Sequence, residues 1–266
     1  CIAYETVTSS QGGLPLLAPM SVVAGRLCVQ AGAHNMEVHQ GSNGTLLGGV
    51  PGVEPGKVLV IGGGMVGSSA IRVALGMGAE VTVVDRSINR LSELDEQYRG
   101  QLRTVYSTTE AIEQHACEAD LIIGAVLIPG ASAPKLIARE LLGRLKPGTV
   151  MVDVAIDQGG CFETSKATTH ADPTFVVDDV VHYCVANMPG AVARTATMAL
   201  TNATLPFIQR LAADGPRQLF LRDSHFGAGL NVYNGQLTHQ AVADALQCPW
   251  ISPAKALDES LHLKTA

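Results

Sequence analysis

Aromatic side chains are scarce in this chain: Phe, Trp and Tyr make up 4% of its 266 residues, with a single Trp. Few aromatics beside 28 glycines argue against a β-sandwich and for a sheet-and-helix domain with tight turns. A basic surplus is also absent. The formal net charge is −6, which excludes the electrostatic footprint expected of a nucleic-acid binder. No apolar run reaches the ~18 residues a membrane-spanning helix needs, because Gly, Pro or a charge interrupts each candidate. The six cysteines, Cys1, Cys28, Cys117, Cys161, Cys184 and Cys248, form no C-x-x-C pair and no zinc spacing. They are too sparse for a disulfide scaffold and are expected to be reduced thiols of a cytoplasmic protein. The eight histidines show no H-x-x-x-H spacing, so no metal is expected. No secretory signal opens the chain. Residue 1 is Cys rather than Met, and residues 1–7 already have strand character, as expected of a sequence entered inside a longer one.

What is present is an apolar fraction of 47%, enough for a core, arranged in alternation. After a helix expected over 19–39 and a Gly- and Pro-rich loop over 41–56, the apolar run at 57–61 and short segments at 81–84, 102–106, 120–125 and 149–154 fit strands. A sixth strand is expected at 174–177. Helical patterns at 65–77, 86–98, 108–115 and 134–145 separate them. Such alternation implies a parallel sheet with right-handed crossovers. Past Pro189-Gly190 a long helix is expected to about residue 213, kinked at Pro206, then loop or strand at 227–232 and a helix over 237–246. The fold class expected is α/β, a Rossmann-type doubly wound parallel sheet.

Gly62-Gly63-Gly64-Met65-Val66-Gly67 fits G-x-G-x-x-G, follows the apolar run 58–61 directly and opens a helix. Gly62 permits the tight turn, Gly64 lets the backbone approach a pyrophosphate, and Gly67 lets helix and strand pack closely. The helix N-terminus then offers unpaired N–H groups and a positive dipole end. Asp85 ends the second strand, where a carboxylate accepts hydrogen bonds from ribose hydroxyls and repels a 2′-phosphate. NAD is therefore preferred over NADP, a preference that neighbouring Arg86 and Arg90 weaken. From these residues alone, NAD, FAD and S-adenosyl compounds all remain open.

Four further stretches narrow the choice: Leu16-Leu17-Ala18-Pro19-Met20-Ser21-Val22-Val23-Ala24-Gly25-Arg26, Asp120 through Gly130, Val152-Asp153-Val154-Ala155-Ile156-Asp157-Gln158-Gly159-Gly160-Cys161-Phe162-Glu163, and Tyr183-Cys184-Val185-Ala186-Asn187-Met188-Pro189. Together they closely resemble the alanine dehydrogenase family, from about Ala3 to Ala256 and most weakly after Gly215. The NAD-binding subunit of proton-translocating transhydrogenase shares parts of the pattern, but Asp157-Gln158-Gly159-Gly160-Cys161 fits the alanine enzymes better.

The resemblance implies NAD as cofactor and the reversible oxidative deamination of L-alanine to pyruvate and ammonium. It implies that Asp157 is the catalytic aspartate; from its own residues, Asp-Gln-Gly-Gly fits a turn or helix cap equally well. It implies cofactor contacts from Ser21, Gly62, Gly64, Met65, Gly67, Asp85, Arg90, Ser107, Val126 and Leu127. Val154, Ala155, Ile156 and Asp157, with Val185, Ala186, Asn187 and Met188, would line the nicotinamide side. Lys166 stands where the family usually carries arginine. Taken alone, Ser21 is a plain helix residue, Arg90 a solvated helix charge and Asn187 a turn residue. The resemblance also implies a homo-oligomer, commonly a hexamer, and a discontinuous substrate domain. Residues 1–15 and 194–266 would belong to that domain and residues 16–193 to the NAD-binding domain. Family members carry a further N-terminal segment on the order of a hundred residues, which supplies the substrate-binding arginine and lysine and the acid/base histidine; these have no match here. The alternatives are the transhydrogenase subunit and a non-catalytic NAD-binding module.

Overall fold

Lys57–Ile61 (β1) divides its side chains between two apolar environments. Val58 and Val60 join one buried cluster, while Leu59 and Ile61 join another on the opposite face. A strand apolar on both faces belongs inside a parallel sheet with cover on each side. The computed structural model, which describes residues 1–126 and 133–258, has this arrangement. The remaining strands are β2 (Glu80–Asp85), β3 (Leu102–Tyr106), β4 (Leu121–Gly124), β5 (Val150–Asp153), β6 (Thr174–Val177) and β7 (Val180–Tyr183). Their order is β3-β2-β1-β4-β5-β7-β6. All neighbours are parallel except β6, which runs antiparallel to β7 at one edge. Chain direction reverses its progress across the sheet between β1 and β4, the place where open α/β sheets bind ligands. Ile61 lies opposite both Val84 and Gly124, and Gly124 opposite Asp153, so the carboxyl ends of these strands are level.

The chain divides into two compact units, Ser21–Ala193 and Cys1–Met20 with Arg194–Ala266. In the first, α1 (Ala18–Asn35), α2 (Met65–Gly76), α3 (Ile88–Tyr98) and α4 (Thr109–Glu118) accompany the strands. Two of them start one residue beyond a side-chain cap: Ser87 Oγ accepts from Arg90 N and Thr108 Oγ1 from Ala111 N, each worth about 1 kcal/mol. Leu91 and Leu94 point inward from α3, each contributing about 1.5–3 kcal/mol when fully buried.

The structure departs from the sequence pattern in three places. Residues 134–145 are not an α-helix. Leu136 N donates to Cys161 O, Ile137 bridges to Phe162, and a 3-10 helix over Arg139–Arg144 follows. Partners far along the chain override the local helical spacing there. β7 was not expected, and its insertion between β5 and β6 makes the sheet edge antiparallel. Residues 1–7 contain a 3-10 turn, Tyr4–Thr6, rather than a strand; only Ile2 bridges, to Leu230.

The second unit holds most of the long helix α5 (Ala193–Asp214), which continues through Pro206, then α6 (Pro216–Arg222), α7 (Ser224–Gly227), α8 (Gln240–Leu246) and α9 (Pro253–Ala256). A hairpin joins β8 (Val232–Tyr233) to β9 (Gln236–Leu237) through Asn234-Gly235, both at positive φ, as a type I′ turn requires. Val7, Leu16, Phe220, Phe226 and Leu257 form its core.

His182 on β7 is fully buried. Its Nε2 faces Thr164 Oγ1 at 2.7 Å and its Nδ1 the Val180 carbonyl at 3.0 Å, with Phe175 stacked on the ring. Burial pushes its pKa down, opposed by the Val180 carbonyl and the Asp178 charge. The neutral ring's contribution is therefore complete above the free-imidazole value of about 6.5 and is lost as pH falls through the lower folded value, because the unfolded chain takes the proton first. The fall in the urea midpoint between neutral and mildly acidic pH is expected to be smaller in His182→Gln than in the unsubstituted protein, as followed by circular dichroism.

Candidate functional site

The turn after β1 is held by contacts that only glycine allows. Gly62 has φ +100°, and a β-carbon on Gly67 would sit 1.8 Å from the Gly62 carbonyl oxygen. A β-carbon on Gly64, in contrast, would project into open space. Gly64 is the N-cap of α2 and has no side chain to satisfy the first-turn amides, so these N–H groups and the positive helix end remain available to an anion.

Asp85 and Arg90 grip this turn from β2 and α3. Asp85 Oδ2 accepts from Gly63 N at 2.7 Å and Oδ1 from Ser87 N at 2.8 Å. Each oxygen retains acceptor capacity for a further hydrogen bond. Arg90 Nε donates to the Gly63 carbonyl at 2.7 Å, Nη2 donates to Ser68 Oγ, and Nη1 pairs with Glu93. The guanidinium is thus a brace of the glycine turn, a role its position on an exposed helix face does not signal.

A cavity of about 200 Å³ opens beside the turn. It brings together Gly62, Asp85, Ser107 and Val126 from four different strand ends, and adds Pro134 and Leu136. The last two carry no sequence signal, because the segment containing them has helical spacing. Arg86, Ser107, Pro134 and Leu136 also border a wider recess of about 520 Å³. Leu127 lies outside the described residues.

Past β5, Val154, Ala155 and Ile156 lead to Asp157, which is exposed within the 3-10 turn Ile156–Gln158. Beyond β7, Val185 and Met188 are buried while Ala186 and Asn187 are exposed. Asn187 adopts the left-handed conformation, φ 56° and ψ 52°, which Asn tolerates better than most residues. Its carbonyl accepts from Gly190 N and lies 3.1 Å from His170 Nε2. Ser21 lies one turn before Gly25 on α1, where a β-carbon would meet the Val66 carbonyl at 2.2 Å. That close approach seats Ser21's end of α1 beside the start of α2. Lys166 is drawn toward the sheet edge, its ammonium 5.0 Å from the Phe175 ring centroid on β6.

The thiols near the site are inert. Burial, with a contribution from the Asp153 charge, pushes Cys161 and Cys184 up to about 12. Neither supplies a thiolate nucleophile at neutral pH. All six cysteines are free.

A family model described as "Alanine dehydrogenase/PNT, C-terminal domain" matches residues 28–240. The alanine dehydrogenase of Halomonas elongata is 64% identical over 257 residues, 97% of this chain and 69% of that protein. That of Mycobacterium tuberculosis strain H37Rv is 52% identical over 256 residues, 96% of this chain and 69% of that protein. A solved L-alanine dehydrogenase superposes with a TM-score of 0.89 at 50% identity, covering 92% of this chain and 68% of the other. A transhydrogenase from Sinorhizobium meliloti superposes with a TM-score of 0.68 at 24% identity, covering 85% and 61% respectively, which is a likeness of fold alone.

Gly67→Ala must push α2 away from the Gly62 carbonyl. Overpacking of this kind costs about 1–3 kcal/mol. The expected outcome is a lower melting temperature together with NADH binding weakened about tenfold or more, read by nicotinamide fluorescence. A neutral effect on binding would mean that the amides of the first turn of α2 do not hold the ligand.

Proposed function

Because this chain belongs to the alanine dehydrogenase family, we propose that it binds NAD at the carboxyl ends of β1, β2 and β4 and serves the reversible oxidative deamination of L-alanine to pyruvate and ammonium, a step of L-alanine catabolism. The observation that carries the cofactor half is the convergence of the glycine turn, Asp85, Ser107 and Val126 on one cavity. The residues present fit a dinucleotide. Gly64 leaves open space where a side chain would stand, the first turn of α2 offers free amides, and Asp85 keeps acceptor capacity on both oxygens. Met65 N–H would meet the pyrophosphate, Asp85 the adenosine ribose and Ser107 the adenine, with Val126 packing along the dinucleotide. Arg90 would act near the ribose chiefly by bracing the turn. Ser21 and Lys166 remain candidate contacts.

NAD, when bound, supplies the acceptor for the α-hydride of L-alanine. The rest is work for the protein. The apolar side chains of Val154, Ala155, Ile156, Val185 and Met188 are buried or half-buried, with Ala186 and Asn187 exposed, and they would line the nicotinamide side and keep water from it while the transfer occurs. Asp157 projects from the loop past β5, where its carboxylate would stabilise the positive iminium carbon–nitrogen centre and hold the water that attacks it. One water is consumed; pyruvate, ammonium and one proton leave. We assign residues 16–193 to the NAD-binding domain and residues 1–15 with 194–266 to the substrate domain.

The rival readings, a transhydrogenase subunit and a non-catalytic NAD-binding module, are less well supported. Relatives named alanine dehydrogenase reach 64% identity, and the transhydrogenase likeness stands at 24%. Cytoplasmic location and a homohexamer belong to this proposal. Among the described residues, no helix is long and apolar enough to cross a membrane, and light scattering of the purified protein reads its assembly.

The primary test is L-alanine-dependent NADH formation with NADH binding followed in parallel. Asp157→Asn is expected to lower kcat by about 100-fold or more while NADH affinity stays within about threefold. Asp85→Ala is expected to weaken NADH about tenfold, the worth of charge-assisted hydrogen bonds, and to weaken NADPH much less. Binding without any alanine turnover would favour the non-catalytic module.

A further inference from the structure

Two charged side chains outside the proposed cofactor contacts meet the loop that carries Asp157. Asp153, the last residue of β5, is fully buried. Its Oδ1 accepts from Ala155 N at 3.1 Å; its Oδ2 accepts from Cys161 N at 2.8 Å, Phe162 N at 3.3 Å and Ser165 Oγ at 2.5 Å. From the other side, Lys135 Nζ donates to the carbonyls of Gly159 at 2.5 Å, Gly160 at 3.0 Å and Phe162 at 3.1 Å. Three acceptors use all three ammonium protons.

The geometry is reciprocal. The Gly160 carbonyl and the Cys161 N–H belong to one peptide unit. That unit therefore has its negative end on an ammonium and its positive end on a carboxylate, the charge-assisted arrangement in which hydrogen bonds are strongest. Gly160 has φ +77°, and a β-carbon there would lie 2.6 Å from Asp153 Oδ2, so the close approach depends on glycine. Backbone bonds run alongside: Ala133 N to Gln158 O, Leu136 N to Cys161 O, and Glu163 N to Ile137 O. Asp157 lies between the two anchors, two residues after Ala155 and two before Gly159. Lys135 itself sits between Pro134 and Leu136, which line the cavity beside the glycine turn. The strip that borders the cofactor cavity through Pro134 and Leu136 therefore also grips the Asp157 loop, through Lys135.

We propose that Lys135 and Asp153 are positioning residues: they hold the Gly159–Cys161 backbone between opposite charges and so fix the carboxylate of Asp157 at the mouth of the crevice. The proposal rests on the role given to Asp157 above. Neither residue touches the reacting atoms.

The test compares Lys135→Met, which keeps the stem and removes the charge, with Lys135→Arg and Asp153→Asn. Lys135 is exposed, so its variants keep the test open should Asp153→Asn fail to fold. In Lys135→Met, amide hydrogen exchange across 155–163 is expected to quicken about tenfold or more with β1 and β2 unchanged, as for a locally released segment. NADH affinity is expected to hold. For L-alanine, kcat is expected to fall about 10- to 100-fold, the scale of a misplaced catalytic group, with KM for NAD little changed and partial recovery in Lys135→Arg. In an Asp157→Asn background the same change is expected to cost almost nothing further. Unchanged exchange in 155–163, or an equal kcat loss without Asp157, would overturn the proposal. If the unsubstituted protein shows no alanine turnover, the functional reading fails, while exchange and NADH binding still decide whether the clamp exists.

Discussion

The contact on which the site depends is the seating of α2 against the turn after β1, at Gly67 and the Gly62 carbonyl. No atom beyond hydrogen fits there. Because helix and turn meet so closely, α2 starts at once after Gly64, and its unpaired amides lie level with the ends of β2 and β4. The parallel register carries this outward: Ile61 beside Val84 and Gly124, Gly124 beside Asp153. One close approach thus places Asp85 and Val126 around the same cavity, with the end of β5 level beside Gly124.

Four charged groups around the site hold backbone. Asp85 fixes Gly63 and Ser87, Arg90 fixes Gly63, Lys135 fixes Gly159 and Gly160, and Asp153 fixes Ala155, Cys161 and Phe162. A loop built from Gly-Gly loses much conformational freedom on folding, and charge-assisted bonds offset that loss better than neutral ones. Desolvation raises the Asp153 pKa, while the hydrogen bonds from Ser165, Phe162, Cys161 and Ala155 pull it back. The carboxylate is tolerated in a dry position because nearly every lone pair is occupied.

Much of the sheet was legible in advance. β1, β2, β4 and β5 are short, mostly apolar runs closed by turns, and a run apolar on both faces has few places to go other than the middle of a parallel sheet. The glycine turn and Asp85 were legible for a related reason: their spacing encodes local geometry. β7 escaped notice because Val180-Val181-His182-Tyr183 mixes a histidine into its run, and only Thr164 and the Val180 carbonyl make that histidine acceptable indoors. Residues 134–145 have helical spacing, yet their hydrogen bonds go to residues 158–163, and no periodicity within the segment reports a partner so far along the chain.

What the sequence determined by itself were the features whose cause is local: the strand-helix alternation, the glycine turn with Asp85, and the family pattern around Asp157. What only the tertiary structure decided were the features whose cause is distant. Arg90 became a brace because Gly63 and Ser68 came within its reach. Asp153 and Lys135 acquired a shared peptide because the loop after β5 and the strip before Ile137 were brought side by side. The physical reason is the reach of the interactions. Propensity, capping and turn geometry act within a few residues, whereas a hydrogen bond between residues 24 or 25 positions apart exists only after the fold has closed the distance.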